Sequence, residues 1–119
     1  MNYQEAVEYL LSLGHETLAI KLGLRNTELL LNTLENPERT FQSVQIAGTN
    51  GKGSAATMLD SICRAADIKT SLYTSPHLVS ITERIKLSGV EITREEFAAC
   101  ATIVRDASEK LEALPTFFE

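Results

Sequence analysis

Gly48-Thr49-Asn50-Gly51-Lys52-Gly53-Ser54 constrains this chain more than any other stretch. Three glycines within six residues suit neither a strand nor a helix interior, and they stand between segments of different periodicity. Upstream, residues 43–47 carry β-branched Val44 and Ile46 in a short run that reads as a strand. Downstream from Ser54, Met58, Leu59, Ile62, Cys63 and Ala66 fall on one face of a helix. A second short strand is expected at residues 70–73. Strand, glycine-rich turn, helix and strand make the smallest βαβ crossover, and its right-handed rule makes the two strands parallel neighbours or nearly so. The expected class is therefore α/β, a P-loop-type parallel sheet with flanking helices.

The flanks add helices. Tyr3, Ala6, Val7, Leu10 and Leu11 form a one-faced stripe, with Gly14 as its stop. After a glycine-bearing stretch at residues 20–25, Asn26 is expected to cap a helix carrying Leu30, Leu31 and Leu34, which Asn36-Pro37 ends. Beyond Pro76, the apolar odd positions Val79, Ile81, Ile85 and Leu87 suggest a half-buried extended segment ending in Ser88-Gly89. Thr93-Arg94-Glu95-Glu96 is a capping box, with Ile92 and Phe97 placed as its hydrophobic staple. The helix that starts there carries Phe97, Cys100, Ala101, Val104 and Leu111 inward until Leu114-Pro115. Two parallel strands alone leave exposed edges, which implies a piece of something longer. The alternative is a complete small α/β protein in which residues 79–87 pair at the edge.

Composition then excludes whole classes. With 119 residues, 44% hydrophobic and 23% charged, the chain matches one compact domain and is neither collagenous, coiled-coil nor disordered. A net charge of −5 leaves no basic surface for non-specific nucleic-acid binding, so any anion must be held locally. No run approaches the ~18 apolar residues of a membrane span. Acidic residues interrupt the first thirteen positions, unlike a secretory leader, and the two cysteines form no Cys-x-x-Cys pair. Both observations fit a reduced, cytoplasmic setting.

The glycine-rich loop has the parts of a phosphate cradle. Glycines at Gly48, Gly51 and Gly53 let backbone N–H groups approach phosphate oxygens, with Thr49 and Asn50 between them, and the free N–H groups of the helix start favour negative charge. Lys52 adds a point charge that can follow the transferring phosphate, and the Ser54 hydroxyl is short enough to ligate Mg²⁺. The loop departs from G-x-x-x-x-G-K-[ST] twice: Ile46 stands where the first glycine would, and Gly53 where Ser or Thr follows the lysine. A Gly-x-x-Gly clamp for single-stranded RNA, Gly48 to Gly51, is a competitor that the acidic balance disfavours.

Thr74-Ser75-Pro76-His77 follows the second strand and emerges beside the phosphate loop, so Ser75 can reach the same metal; taken alone, it reads as a plain turn. His77 reads as a hydrogen-bonded structural group. Glu83 and Arg84 read either as a surface ion pair or as an arginine aimed at a carboxylate substrate. His15, Cys63, Cys100 and the leucines from Leu29 to Leu34 are assigned to structure. The scattered acids mark no carboxylate pair and no general base.

Together, Val44 to Ser54, Tyr73-Thr74-Ser75-Pro76-His77-Leu78 and Glu83-Arg84-Ile85 resemble, in order and spacing, the folylpolyglutamate synthase and dihydrofolate synthase family, a branch of the Mur ligases. Leu22-Gly23-Leu24 and the leucine-rich helix after it extend the resemblance over nearly the whole chain. Gly53 followed by Ser54 is the folate-branch form of the loop; peptidoglycan-building relatives place Thr or Ser directly after the lysine. The resemblance implies the N-terminal part, residues 1–119, of an ATP-binding domain, with the glutamate-binding domain absent. It implies a monomeric, ATP-dependent amide ligase joining L-glutamate to folate or dihydropteroate through an acyl phosphate. By position, Gly48, Thr49, Asn50, Gly51, Lys52, Gly53 and Ser54 would bind ATP phosphates, Lys52 would be catalytic, and Ser75 with Ser54 would hold Mg²⁺. The fragment alone would be inactive. Another Mur-type ligase or P-loop phosphotransferase, and a non-catalytic nucleotide-binding module, are the other readings.

Overall fold

The computed structural model describes residues 1–14, 24–111 and 114–119. They divide into two units, Met1–Gln42 with Glu95–Glu119, and Ser43–Arg94. The sequence-based readings of His15, of most of the stretch at 20–25 and of Leu22-Gly23 lie outside the described residues.

In the first unit, α1 (Tyr3–Ser12) starts where Asn2 and Glu5 satisfy each other: the Asn2 side chain accepts from the Glu5 N–H at 2.9 Å, and the Glu5 carboxylate accepts from the Asn2 N–H at 2.8 Å. Gly14, at φ +80°, stands just past its end, as its stop signal implied. The stripe of α1 meets α4 (Arg94–Ser108), which begins where its capping box places it. Tyr3 packs edge-on to Phe97 with ring centroids 5.8 Å apart. The Met1 amine donates to Thr102 Oγ1 at 3.0 Å, and the Tyr9 and Ser108 hydroxyls share a 3.0 Å hydrogen bond. Ala6, Ala98, Ala101 and Ala107 are buried with Phe97, small residues that allow close helix approach.

Two expectations change here. The buried face of α4 runs through Phe97, Ala101 and Ser108, and Cys100 falls beside it and is exposed. α2 (Arg25–Thr33) begins before Asn26, with Leu24 in the cap position and no side-chain cap, so Asn26 sits inside the first turn. Leu30 is its buried residue. Glu35 and Asn36, at φ +64° and +54°, turn the chain out of α2 before a short 3-10 helix at Pro37–Thr40.

The second unit holds α3 (Lys52–Ala65), β1 (Ser71–Tyr73), a 3-10 turn at Ile81–Arg84, β2 (Ile85–Leu87) and β3 (Val90–Glu91). Helices and a small sheet share the chain, as the α/β class requires, but the pairing differs from the parallel arrangement expected. Residues 43–47 join no ladder among the described residues. β1 instead pairs antiparallel with β2, Leu72 opposite Lys86, and β2 with β3, Leu87 opposite Val90. For β2 and β3 the cause is local: Ser88 and Gly89 both take positive φ, +49° and +81°, and close a two-residue hairpin where the half-buried segment was expected to end. The same segment is interrupted by the 3-10 turn, whose Thr82 is buried.

The apolar stripe of α3 was expected to face a core. Met58 and Ile62 are instead 63% and 65% exposed, and the buried residue of α3 is Asp60. Its carboxylate accepts from Thr70 Oγ1 at 2.6 Å and from Arg64 Nε at 2.9 Å. The Thr70 hydroxyl first, then Arg64, hold that carboxyl below the ordinary aspartate range. Arg64 also lies against the hairpin: a Cβ on Gly89 would stand 2.7 Å from its guanidinium carbon, so this glycine serves close approach as well as its φ.

Candidate phosphate-binding site

α3 packs on β1 and a short turn joins them, so the two run in opposite directions. The start of α3 and the end of β1 therefore lie at one end of this unit, which positions the two loops read as functional. Residues 48–54 form one exposed turn into the helix.

Gly51 takes the cap position of α3 at φ +75° with no side chain to cap it. A glycine there offers no side-chain acceptor to the first-turn N–H groups that every helix start leaves without an intrahelical partner. A Cβ added at Gly51 or Gly53 would meet nothing within 4 Å, so the turn is open on the side-chain side of both glycines. Gly48 is held at φ +155°, and Lys52 arches back over the turn, its Nζ donating to the Thr49 carbonyl at 3.4 Å. The long bond leaves the ammonium free to exchange that carbonyl for a stronger acceptor. Free backbone donors, the helix dipole and a lysine at one helix start are the features that favour an anion.

Ser75 is exposed two residues beyond β1 and joined to Pro76 by a cis peptide bond. Thr74 N–H donates to the Arg84 carbonyl at 2.9 Å, tying the start of this loop to the 3-10 turn. His77 Nδ1 accepts from Arg84 Nε at 2.8 Å, which bears out its reading as a hydrogen-bonded group. Arg84 also donates to Tyr73 Oη at 3.2 Å, and Glu83 turns to the loop backbone, so the two make separate contacts. The sequence reading singled out Glu83 but missed that it holds the loop backbone. Its carboxylate accepts from the N–H groups of Leu78, Val79 and Ser80, which hold it below the ordinary glutamate range. The available signal was Ser80 three residues before Glu83, itself a capping-box spacing.

As oxygen donors, Ser54 and Ser75 fit Mg²⁺, which commonly keeps several waters and shares a nucleotide's phosphates. Among the described residues no group of three or more His, Cys, Asp or Glu is placed to hold a metal by itself. No described helix is long and apolar enough to cross a membrane.

No family model matches the sequence. A curated relative, a probable bifunctional folylpolyglutamate synthase/dihydropteroate synthase of Haloferax volcanii, is 37% identical over 99 residues, 83% of this chain and 12% of its own length. The solved folylpolyglutamate synthetase from Lactobacillus casei superposes with a TM-score of 0.90 at 32% identity, covering 99% of this chain and 30% of that one. A solved FPGS–AMPPCP–folate complex superposes at 0.86 with 33% identity over 99% of this chain and 30% of its own. The chain thus spans between about an eighth and a third of the length of these proteins.

Proposed function

This chain belongs to the folylpolyglutamate synthase and dihydrofolate synthase family, and we propose that it supplies the phosphate-binding part of the ATP-binding domain of an ATP-dependent ligase. The ligase joins L-glutamate to a folate or dihydropteroate carboxylate. The observation that carries this reading is the uncapped start of α3, with Lys52 folded over a glycine turn.

In this reading, Gly48, Thr49, Asn50, Gly51, Gly53 and Ser54 cradle the ATP phosphates through backbone donors. Lys52 exchanges the Thr49 carbonyl for a γ-phosphate oxygen and stabilises the charge that develops as the phosphoryl group leaves ADP. The acceptor carboxylate takes that group as an acyl phosphate, and the glutamate amine then displaces phosphate to form the amide. Ser54 and Ser75 hold Mg²⁺, which, when bound, neutralises phosphate charge. Both cysteines are free thiols, which supports the reading of a cytoplasmic protein; we read it as a monomer.

The test is ADP release by the full-length protein with ATP, Mg²⁺ and glutamate, comparing dihydropteroate, a tetrahydrofolate and no acceptor. Release that requires a pterin acceptor supports the ligase and identifies the addition it performs. ATP binding without release on any acceptor overturns it.

A further inference from the structure

We propose that Glu83 is a positioning residue for the acceptor side of this site, through a carboxylate that gathers three consecutive backbone N–H groups of the loop after Ser75. The inference rests on the ligase reading above. Glu83 Oε2 accepts from Leu78 N–H at 2.9 Å, and Oε1 from Val79 and Ser80 N–H at 2.9 and 2.6 Å. The Ser80 side chain in turn accepts from the Glu83 N–H, closing the box. Ser80 Oγ also bonds Thr82 Oγ1 at 2.7 Å, and Thr82 bonds the Glu91 carboxylate, so the clamp is anchored in β3.

Burial does not hold this loop. Leu78 and Val79 are 93% and 91% exposed, so their side chains contribute almost no apolar packing and the backbone is fixed by its polar ties. Successive N–H groups converging on one anion form a concavity of the type that binds phosphates and carboxylates. Here the chain's own carboxylate fills it. The loop leaves β1 at the end where α3 begins, so an acceptor approaching a γ-phosphate held at residues 48–54 passes beside it. Releasing the clamp misplaces that wall without touching the phosphate loop.

The experiment compares full-length wild type, Glu83→Gln and Glu83→Ala in three ways: backbone hydrogen exchange over residues 76–82, equilibrium affinity for ATP, and steady-state kcat and KM for the pterin acceptor. Both variants are expected to speed loop exchange by about tenfold or more, from the loss of charge-assisted bonds. Acceptor kcat/KM is expected to fall about tenfold or more, as misplacement away from the chemistry does. ATP affinity is expected to stay within about twofold, because Glu83 holds the backbone of Leu78, Val79 and Ser80, beyond Ser75, and accepts nothing from residues 48–54. Unchanged loop exchange, unchanged acceptor kinetics, or equal losses for acceptor and ATP overturn the proposal, the last by reducing Glu83 to a structural part. If Glu83→Ala does not fold, the nearly isosteric Glu83→Gln decides. If wild type releases no ADP with any acceptor, the ligase reading fails and the proposed role fails with it; loop exchange still shows whether Glu83 holds the backbone.

Discussion

α4 and α3 are of nearly equal length and both read in the sequence as amphipathic, yet they are used in opposite ways. α4 buries Phe97, Ala98 and Ala101 and meets α1 through an aromatic pair and two side-chain hydrogen bonds to α1 or its leading residue. α3 leaves Met58 and Ile62 in solvent and buries Asp60, which ties it to Thr70 ahead of β1. The helix pair is held by apolar area, whereas the α3 region is held by polar ties at points that set loop geometry.

Substitutions in the two regions should therefore differ in kind. Phe97→Ala is expected to cost the most stability, about 3–5 kcal/mol by analogy with other buried aromatic truncations, read as a shift in the denaturation midpoint. Equal stability of this variant and wild type would contradict the packed-pair description. Gly51→Ala meets no clash and costs only its left-handed backbone, about 1–2 kcal/mol, while weakening nucleotide affinity, which titration with ATP checks. Ile62→Ala in this chain should change stability by less than about 0.5 kcal/mol, as exposed positions do. A cost near that of Phe97→Ala would show that the stripe of α3 is buried after all.

Acid sharpens the contrast further. Because the Glu83 carboxyl titrates below its ordinary value in the folded chain, its contribution is complete above the unfolded glutamate value of about 4.3 and is lost as pH falls through the folded one. Amide protection at Leu78, Val79 and Ser80 should follow that loss. Asp60 carries the same sign.

Much of this was legible. The spacing of Tyr3, Ala6 and Leu10 marks α1, Thr93-Arg94-Glu95-Glu96 marks the start of α4, and the glycine-rich loop announces α3, which begins at Lys52, two residues before the start expected at Ser54. Each is a local signal, a stripe, cap or glycine turn written within a few residues, even where its packing partner lies far along the chain, as α4 does for α1. The strand expected at residues 43–47 failed differently: β-branched composition gives propensity, but a ladder needs a neighbour, and β1 finds its neighbour in the hairpin arm β2. Asp60 was invisible because apolar periodicity cannot announce a buried carboxylate: Arg64 lies four residues on in the same helix, but Thr70 reaches it only when the chain after α3 folds back. Of the candidate site, the exposed glycine turn into α3 could be read from residue types alone. The hold of Glu83 on Leu78 to Ser80 depended on the 3-10 turn that the alternating pattern concealed.

The most direct test of the phosphate loop is Lys52→Ala in the full-length protein, with acceptor-dependent ADP release and thermal midpoint measured on the same sample. Lys52 is exposed and its only described bond is the long one to Thr49, so the midpoint should barely move while release falls by about a thousandfold or more, the scale of losing a charge that stabilises a phosphoryl transition state. Near-normal release from a protein of unchanged stability would contradict the assignment of Lys52 and of the cradle built around it.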